Sequence, residues 1–208
     1  MIPFTERCRL RQYVPNKPNP LALKNFVLSA RGLVIDFIIY DGKGCVSPED
    51  KRNYVLGGGM VKRLSAIPQD ATHVLCTDRY FTGIKFAEYL LDNIYMVGTI
   101  NNNRLSNAQN KLKPEKDLNR GEWDEVVRSD EKMCIVKWKD NKSVTLLSTC
   151  IGSEPVTTCK RWSKQEKKKI DVPQPAVIKA YNASMGGWLV GVGFYGAKAI
   201  FGHAAPNT

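Results

Sequence analysis

The sequence predicts an α/β fold, a mixed sheet with flanking helices that is interrupted by a small β-rich insertion. Through residue 100, apolar runs and one-sided apolar patterns follow the order β, β, α, β, α, β, which is typical of a sheet covered by helices. A polar stretch, residues 101–130, comes next. Two further strand patterns joined by a short turn then indicate the insertion.

The composition favours one domain with an anionic partner. The chain has 208 residues and is 43% hydrophobic, which is enough for a single core. Its 31 Lys and Arg against 20 Asp and Glu give a net charge of +11. This surplus favours nucleic acid over an acidic membrane surface, although a merely soluble basic protein is an alternative. No stretch of 18 apolar residues occurs, so no membrane span is expected.

The cysteine pattern predicts reduced, mostly buried thiols in a cytosolic or nuclear protein. No CxxC pair occurs, and the two histidines cannot complete a conventional zinc finger. The start of the chain has no apolar signal-peptide segment. The cysteines are Cys8, Cys45, Cys76, Cys134, Cys150 and Cys159.

The first twenty residues are basic and rich in turn formers, and their prolines disfavour a helix. The cations of this segment either contact phosphates or lie in a solvated loop. These candidate nucleic-acid contacts are Arg7, Arg9, Arg11 and Lys17.

Residues 23–30 and 33–40 are two β-type runs around a tight turn, which predicts a hairpin. The second run is almost continuously apolar, as expected of a strand covered on both faces. Asp36 interrupts it, and an edge-facing or paired carboxylate is favoured over a second active-site residue.

A loop over residues 41–53 precedes a predicted helix over residues 54–67, which Pro68 ends. The triplet Gly57–Gly59 weakens this helix by about 1 kcal/mol per glycine relative to alanine. The triplet is no phosphate-binding loop, because no Gly-Lys-Ser/Thr sequence follows it.

Asp78 is the candidate catalytic and metal-ligating residue. It follows a predicted strand, residues 72–77, and precedes a helix pattern over residues 84–91 and a strand over residues 94–100. Active sites of open α/β sheets lie at this carboxyl edge, and a carboxylate there can hold a divalent metal. The alternative is a helix N-cap, which would accept backbone N–H bonds.

The later part of the chain contains two predicted strands, residues 133–139 and 143–150, and then a strongly basic run over residues 159–169. This run would bind the DNA backbone, act as a nuclear import signal or form a solvated loop. Packing of Trp162 against the insertion is favoured over stacking on a base. A short helix over residues 178–185 follows. The cations of the run are Lys160, Arg161, Lys164, Lys167, Lys168 and Lys169.

Five segments, in order, resemble the transposase domain of piggyBac elements and their domesticated derivatives. The segment Thr77-Asp78-Arg79-Tyr80-Phe81-Thr82-Gly83 resembles the stretch that carries the second catalytic Asp of that family. The other four are residues 1–18, 97–104, 144–150 and 181–187.

The resemblance implies an RNase H-like core in which three Asp side chains hold two Mg²⁺ ions for hydrolysis and transesterification of DNA. Asp78 matches the second Asp. The first would precede the position of Met1, and Trp188-Leu189 stand where the third would follow Gly187. The resemblance therefore implies a nuclear, catalytically inactive core without a tightly bound cofactor, in which Asp78 alone binds Mg²⁺ weakly, and weak, non-specific DNA binding.

Two other functions stay open. One is an active metal-dependent transposase or nuclease as part of a longer chain. The other is a domesticated chromatin or protein-interaction module that uses an exposed sheet edge and the apolar tail, since the resemblance implies that the central first strand is shortened. A decayed remnant without function is a further possibility.

The predicted organisation has four parts. Residues 1–105 form a partial RNase H-like core, and residues 106–175 form the β-rich insertion. Residues 176–187 return to the core as a helix, and residues 188–208 are an apolar tail that matches nothing in the family.

Overall fold

The structure is a computed structural model that describes residues 2–15, 18–30, 33–42, 44–64, 73–91, 94–185 and 192–196, with only the backbone of residues 73 and 192–196. The strands are, in chain order, β1 Ile2–Pro3, β2 Arg11–Tyr13, β3 Leu21–Leu23, β4 Asn25–Ala30, β5 Leu33–Ile39, β6 His73–Thr77, β7 Ile94–Thr99, β8 Trp123–Val127, β9 Cys134–Lys139, β10 Ser143–Ser148, β11 Thr157–Ser163, β12 Lys168–Gln174 and β13 Val192–Gly196. The helices are α1 Pro48–Leu64, α2 Ile84–Leu90 and α3 Ala176–Met185, with short 3₁₀ helices at Asn102–Arg104, Ser106–Lys111 and Glu115–Asp117.

The centre of the fold is a mixed sheet of eight strands in the order β5-β4-β13-β6-β7-β10-β9-β8. β6 is parallel to β7 and β13 is parallel to β4, while the remaining neighbours are antiparallel. Helices α1 and α2 lie over one face, and α3 packs with β12 on the other. The predicted mixed α/β class is therefore confirmed.

Strands β8, β9 and β10 continue this sheet instead of forming a sheet of their own. β10 pairs antiparallel with β7, with Leu147 opposite Gly98. Among the described residues, β11 and β12 form a separate two-stranded sheet, and β1, β3 and β2 form a separate three-stranded one. The change of composition near residue 106 thus does not coincide with a break in the main sheet, because backbone pairing does not depend on side-chain polarity.

The apolar tail contributes a strand to the middle of the main sheet. β13 is parallel to β4, with Val192 opposite Leu28, and antiparallel to β6, with Phe194 opposite Leu75. It fills the backbone hydrogen-bonding edges of both neighbours, which would otherwise stay unpaired. The sequence offered no structural role for these residues.

β5 is the outer strand of the main sheet, and the prediction that both of its faces are covered is wrong. Leu33 is 74% exposed and Phe37 is 55% exposed, although they lie on a nearly continuous apolar run. Ile38 is half-buried against the core cluster that includes α1, whereas the other residues of β5 are exposed. Asp36 is exposed, as predicted, and its Oδ1 accepts the Phe37 N–H at 2.7 Å.

Helix α1 begins at Pro48, within the segment that the sequence predicts to be a loop. Ser47 Oγ accepts the Asp50 N–H at 3.0 Å, which is the N-cap arrangement, and Pro48 suits the first helical position. Val55 breaks the helical dihedral angles at φ 60°. The glycines then let the helix lie against the chain around Asp78, since a Cβ on Gly57 would meet the carbonyl of Tyr80.

Two hydrophobic clusters form the core, one on each face of the main sheet. Phe86 of α2 and Met60 of α1 are completely buried in the first, and Val136 of β9 and Val177 of α3 in the second. Within the described residues, no helix is both long and apolar enough to cross a bilayer.

Candidate functional site

Asp78 lies in a tight turn at the carboxyl end of β6. Its Oδ1 accepts the Tyr80 N–H at 2.7 Å, and its carbonyl accepts the N–H groups of Phe81 and Thr82. The N-cap residue of α2 is Gly83, and no side-chain hydrogen bond caps the helix. The N-cap alternative for Asp78 is therefore wrong, because its carboxylate closes the turn and not the helix.

Two buried threonines support this turn from below. The Thr77 and Thr82 hydroxyls are 2.8 Å apart, and Thr82 Oγ1 donates to the Asp78 carbonyl at 2.9 Å. Gly98 on the neighbouring β7 makes room for the pair, since a Cβ there would meet both hydroxyl oxygens. The backbone of Asp78 is thus fixed by groups on β6, the turn and β7 together.

Arg104 holds the same turn from outside. Its Nη1 donates to the carbonyls of Thr82 at 2.9 Å, Tyr80 at 3.0 Å and Arg79 at 3.3 Å. The sequence places Arg104 at the end of a segment that resembles the family and predicts no role for it. A single arginine beyond a strand carries no local signal of contacts to residues more than twenty positions away.

A lysine in an aromatic cluster connects the turn to β4. Lys24 Nζ donates to the Tyr80 hydroxyl at 3.0 Å and lies 4.6–5.4 Å from the ring centres of Phe26, Tyr40 and Tyr80. Cations over aromatic rings are attracted by the negative ring faces. This contact, too, was not predicted, because its members come from β4, the segment after β5 and the turn.

Tyr181 brings α3 close to Asp78. Burial raises the pKa of the Tyr181 phenol, and the negative charge of Asp78 adds to the increase. The Tyr181 and Thr99 hydroxyls are 3.4 Å apart. The Asp78 carboxylate therefore accepts the Tyr80 N–H and acts on the Tyr181 phenol, while Thr82 and Arg104 hold the backbone of its turn.

The described residues do not fit a pair of Mg²⁺ ions by themselves. Such ions need several converging oxygen ligands, but no group of three His, Cys, Asp or Glu side chains that could hold a metal occurs in the part of the chain that the structure describes. Asp78 is half-buried, and only its Oδ1 accepts a hydrogen bond from those residues. One carboxylate oxygen of Asp78 thus has no hydrogen-bond donor among the described residues and can act as a ligand.

The basic run forms a β-hairpin, not the solvated loop that was one alternative. β11 and β12 are antiparallel, with Trp162 opposite Lys169 and Lys160 opposite Asp171. The side chains of β11 alternate between half-buried or buried and exposed. The hairpin therefore has one face towards the protein and one towards solvent.

Two arginines and one aspartate fix the hairpin to the turn between β9 and β10. Asp140 Oδ1 accepts Arg120 Nε and Asp140 Oδ2 accepts Arg161 Nε, both at 2.9 Å. Arg120 Nη1 also donates to the Trp162 carbonyl at 3.1 Å. These charge-assisted bonds make the position of the hairpin well defined.

The predicted DNA-contacting cations differ in whether other groups of the protein already bind them, and therefore in whether they can bind a phosphate. Arg161 is committed to Asp140, and Arg11 donates to the carbonyls of Thr5 and Glu6. Lys160 and Lys168 form exposed ion pairs with Asp171 and Glu166, and such pairs are weak. Lys17 lies outside the described residues. Of the predicted cations, those that are exposed and form no ion pair with any described residue are Arg7, Arg9, Lys164, Lys167 and Lys169.

Comparisons with known proteins identify relatives of this chain. A family model described as transposase IS4 matches residues 1–189. Human PiggyBac transposable element-derived protein 3 is 30% identical over 199 residues, which are 90% of this chain and 32% of that protein. Human PiggyBac transposable element-derived protein 2 is 28% identical over 164 residues, or 76% of this chain and 27% of that protein.

One solved structure is similar over most of the chain. It is the piggyBac transposase in a synaptic complex with hairpin DNA, determined by cryo-EM, with a TM-score of 0.66 and 26% identity. The match covers 88% of this chain and 36% of that one. The chain spans about a third of the length of the relatives it matches. It belongs to the transposase IS4 family, among its piggyBac-type members.

Proposed function

We propose that this chain is a piggyBac-derived, RNase H-like core that binds DNA weakly and non-specifically in the nucleus and does not itself cleave or join DNA strands. The observation that carries the proposal is the solvent-facing side of the β11–β12 hairpin. Its strands and turn contain six cationic and two acidic side chains. The Arg120–Asp140–Arg161 contacts hold this charge in place, and phosphate contacts of this kind need no base sequence.

The relatives support a DNA partner. The structural neighbour is a piggyBac transposase bound to hairpin DNA, and the net charge of +11 suits a polyanion. Phosphate contacts by Arg7 and Arg9, which are exposed before β2, extend the proposed contact beyond the hairpin.

We propose the absence of catalysis because of the carboxylates that are available as metal ligands. Transposases of this family are typically metal-dependent, and a metal pair needs carboxylates that converge on it. Asp78 supplies one carboxylate, which binds Mg²⁺ weakly, so no tightly bound cofactor is expected.

The test is binding to a duplex of about 30 base pairs at about 50 mM and about 200 mM salt. The wild-type affinity should fall steeply with salt. Each phosphate contact contributes about −0.9 to the slope of the logarithm of the association constant against the logarithm of the salt concentration. The triple variant Lys164→Ala, Lys167→Ala, Lys169→Ala should bind more weakly and show a salt slope smaller by about 2–3.

The matched control removes the same charge elsewhere, as Lys51→Ala, Lys85→Ala, Lys111→Ala. These lysines are exposed on α1, α2 and a 3₁₀ helix. The control should lose less affinity and keep most of the slope. Absence of wild-type binding at the lower salt, or an equal loss in both triple variants, would contradict the proposal.

One observation favours an active enzyme formed by a longer chain as the second candidate. Asp78 Oδ2 accepts no hydrogen bond from a described residue, and the turn around it is held by Thr82 and Arg104. That is the state of a carboxylate prepared for a ligand. Mg²⁺-dependent DNA cleavage by a longer form that Asp78→Asn abolishes would establish this candidate, and cleavage that survives Asp78→Asn would refute the role of Asp78.

A protein-interaction role is the third candidate, and the exposed apolar strand β5 favours it. An unpaired strand edge can accept a strand from a partner. Protection of β5 amides from hydrogen exchange in the presence of chromatin proteins would support this role, and unchanged exchange would count against it.

A further inference from the structure

Trp162 is the exposed tryptophan of the described part of the chain. Its side chain is 56% exposed, whereas Trp138 is buried and Trp123 is half-buried. The expectation that Trp162 packs against the insertion is therefore wrong. The apolar surface of an indole is more stable in an apolar environment than in water, so the surroundings of an exposed indole can indicate a ligand.

Cationic side chains lie on either side of the indole on the solvent face of the hairpin. Lys169 is directly opposite Trp162 on β12, and Lys160 is two residues away on β11, so that it points to the same face. Lys169 forms no ion pair with any described residue, and the partner of Lys160 is an exposed carboxylate at 3.3 Å. An aromatic surface between positive charges fits a ligand with both a flat apolar part and negative charges.

Hydrogen bonds hold the backbone at Trp162 in place, so the indole ring faces solvent and does not fold back onto the rest of the protein. The Trp162 carbonyl accepts Arg120 Nη1, and the preceding Arg161 is bound to Asp140. The opposite face of the hairpin packs on the body through Val172 and Cys159. A preorganised aromatic side chain loses little conformational freedom when it binds a ligand.

The bases of a duplex already stack on one another, so their faces are not available to an indole. In a single strand the faces are accessible, and flanking phosphates follow the backbone on both sides of each base. Aromatic side chains between cations are the usual platform for such strands. Binding by this platform tolerates any sequence, since each base has a π-face.

We infer that the β11–β12 hairpin prefers single-stranded to duplex DNA, with Trp162 stacked on an unpaired base and Lys160 and Lys169 contacting the adjacent phosphates. The inference rests on the proposed DNA binding, to which it adds the strand state of the ligand.

The test compares a single-stranded oligonucleotide of about 20 nucleotides with the duplex of the same sequence at equal salt. Trp162→Ala should weaken single-strand binding about tenfold or more, and duplex binding less than about twofold. Trp162→Phe should keep most of the single-strand affinity, because a phenyl ring still stacks. Lys169→Ala should weaken the binding of both the single strand and the duplex, since it removes a phosphate contact.

Intrinsic fluorescence supplies a second readout and a matched control. Single-stranded DNA should quench the emission of the wild type and of Trp123→Phe by the same amount. The quenching should be lost in Trp162→Phe. A fall in single-strand and duplex affinity by the same factor in Trp162→Ala, or no fall at all, would overturn the inference and leave DNA binding standing. Absence of wild-type binding to either form would overturn the proposed function itself.

Discussion

Two hairpins of the same sheet, β4–β5 and β9–β10, are both rich in apolar residues, but the outer strand β5 is exposed whereas both strands of β9–β10 are largely buried. Each contains a run of apolar residues and pairs antiparallel with its partner strand. β9 and β10 are largely buried, and Leu147 is completely so. β5 is exposed along almost its whole length. An apolar run therefore indicates a strand, but the topology of the sheet decides whether anything covers it.

The difference has a structural cause. β10 lies between β7 and β9, and residues of α3 and β12 cover it. β5 has β4 on one side and no described strand on the other. The described residues thus leave most of the apolar surface of β5 uncovered, whereas the apolar surface of β10 contributes to stability.

Truncation of one leucine in each hairpin should give the largest difference in the free energy of unfolding. Leu147→Ala in β10 should lower the free energy of unfolding by about 2–5 kcal/mol, because it removes buried methyl groups and leaves a cavity. Leu33→Ala in β5 should change it by less than about 0.5 kcal/mol. Urea denaturation of both variants measures this, and equal losses would contradict the comparison.

Gly98→Ala tests the strand that connects the buried hairpin to the Asp78 turn. The new methyl group would meet the Thr77 and Thr82 hydroxyls, and overpacking of this kind costs about 1–3 kcal/mol. The control is Gly83→Ala, because a Cβ there meets no atom within 4 Å. Thermal unfolding compares the two, and a Gly98→Ala variant as stable as the control would show that the turn can move aside.

Alkaline pH should destabilise the buried hairpin through its thiols. Burial raises the pKa of Cys134 well above its usual range and the pKa of Cys150 to about 12. A pKa raised by folding contributes stability below the unfolded value, and this stability is lost as pH rises towards the folded value. Above about pH 8.5, the loss should be about 1.4 kcal/mol per thiol and pH unit.

Urea denaturation at several pH values between about 8 and 10 measures this slope. The double variant Cys134→Ala, Cys150→Ala should show a smaller alkaline loss than the wild type. Parallel pH profiles for the two proteins would show that other groups cause the loss.

The smallest effect on stability is expected in β5. Ile35→Lys replaces a side chain that is 59% exposed, so the free energy of unfolding should change by less than about 0.5 kcal/mol. Its effect should instead be on self-association, because charges on edge strands oppose pairing between copies. Sedimentation velocity at high concentration checks this, and increased association of the variant would contradict it.

Local patterns predicted much of the fold. Apolar runs around a tight turn predicted the β4–β5 hairpin, and alternation with turn residues predicted the β9–β10 hairpin. The strand–turn–helix order placed Asp78 at the end of β6. These features depend on neighbours in sequence. The start of α1 was also encoded, in Ser47-Pro48-Glu49-Asp50, but the surrounding polarity suggested a loop.

Other features depend on residues that are distant in sequence. Charge obscured the alternation in β8 and in the β11–β12 hairpin, so neither was predicted as strands. The contacts of Arg104 and Lys24 at the Asp78 turn join elements that only the folded chain brings together. The position of β13 cannot be deduced from its own sequence, because an apolar, glycine-rich segment does not indicate its neighbours.

The location of β13 has a consequence for biosynthesis. It is the last of the described strands to leave the ribosome, yet its place is between β4 and β6, which are made much earlier. Until it arrives, the nascent chain consists of two partial sheets with facing unpaired edges. Such edges are where non-native association begins. Translation speed and chaperone access while β13 is being made should therefore affect the yield of folded protein more than the same factors acting earlier.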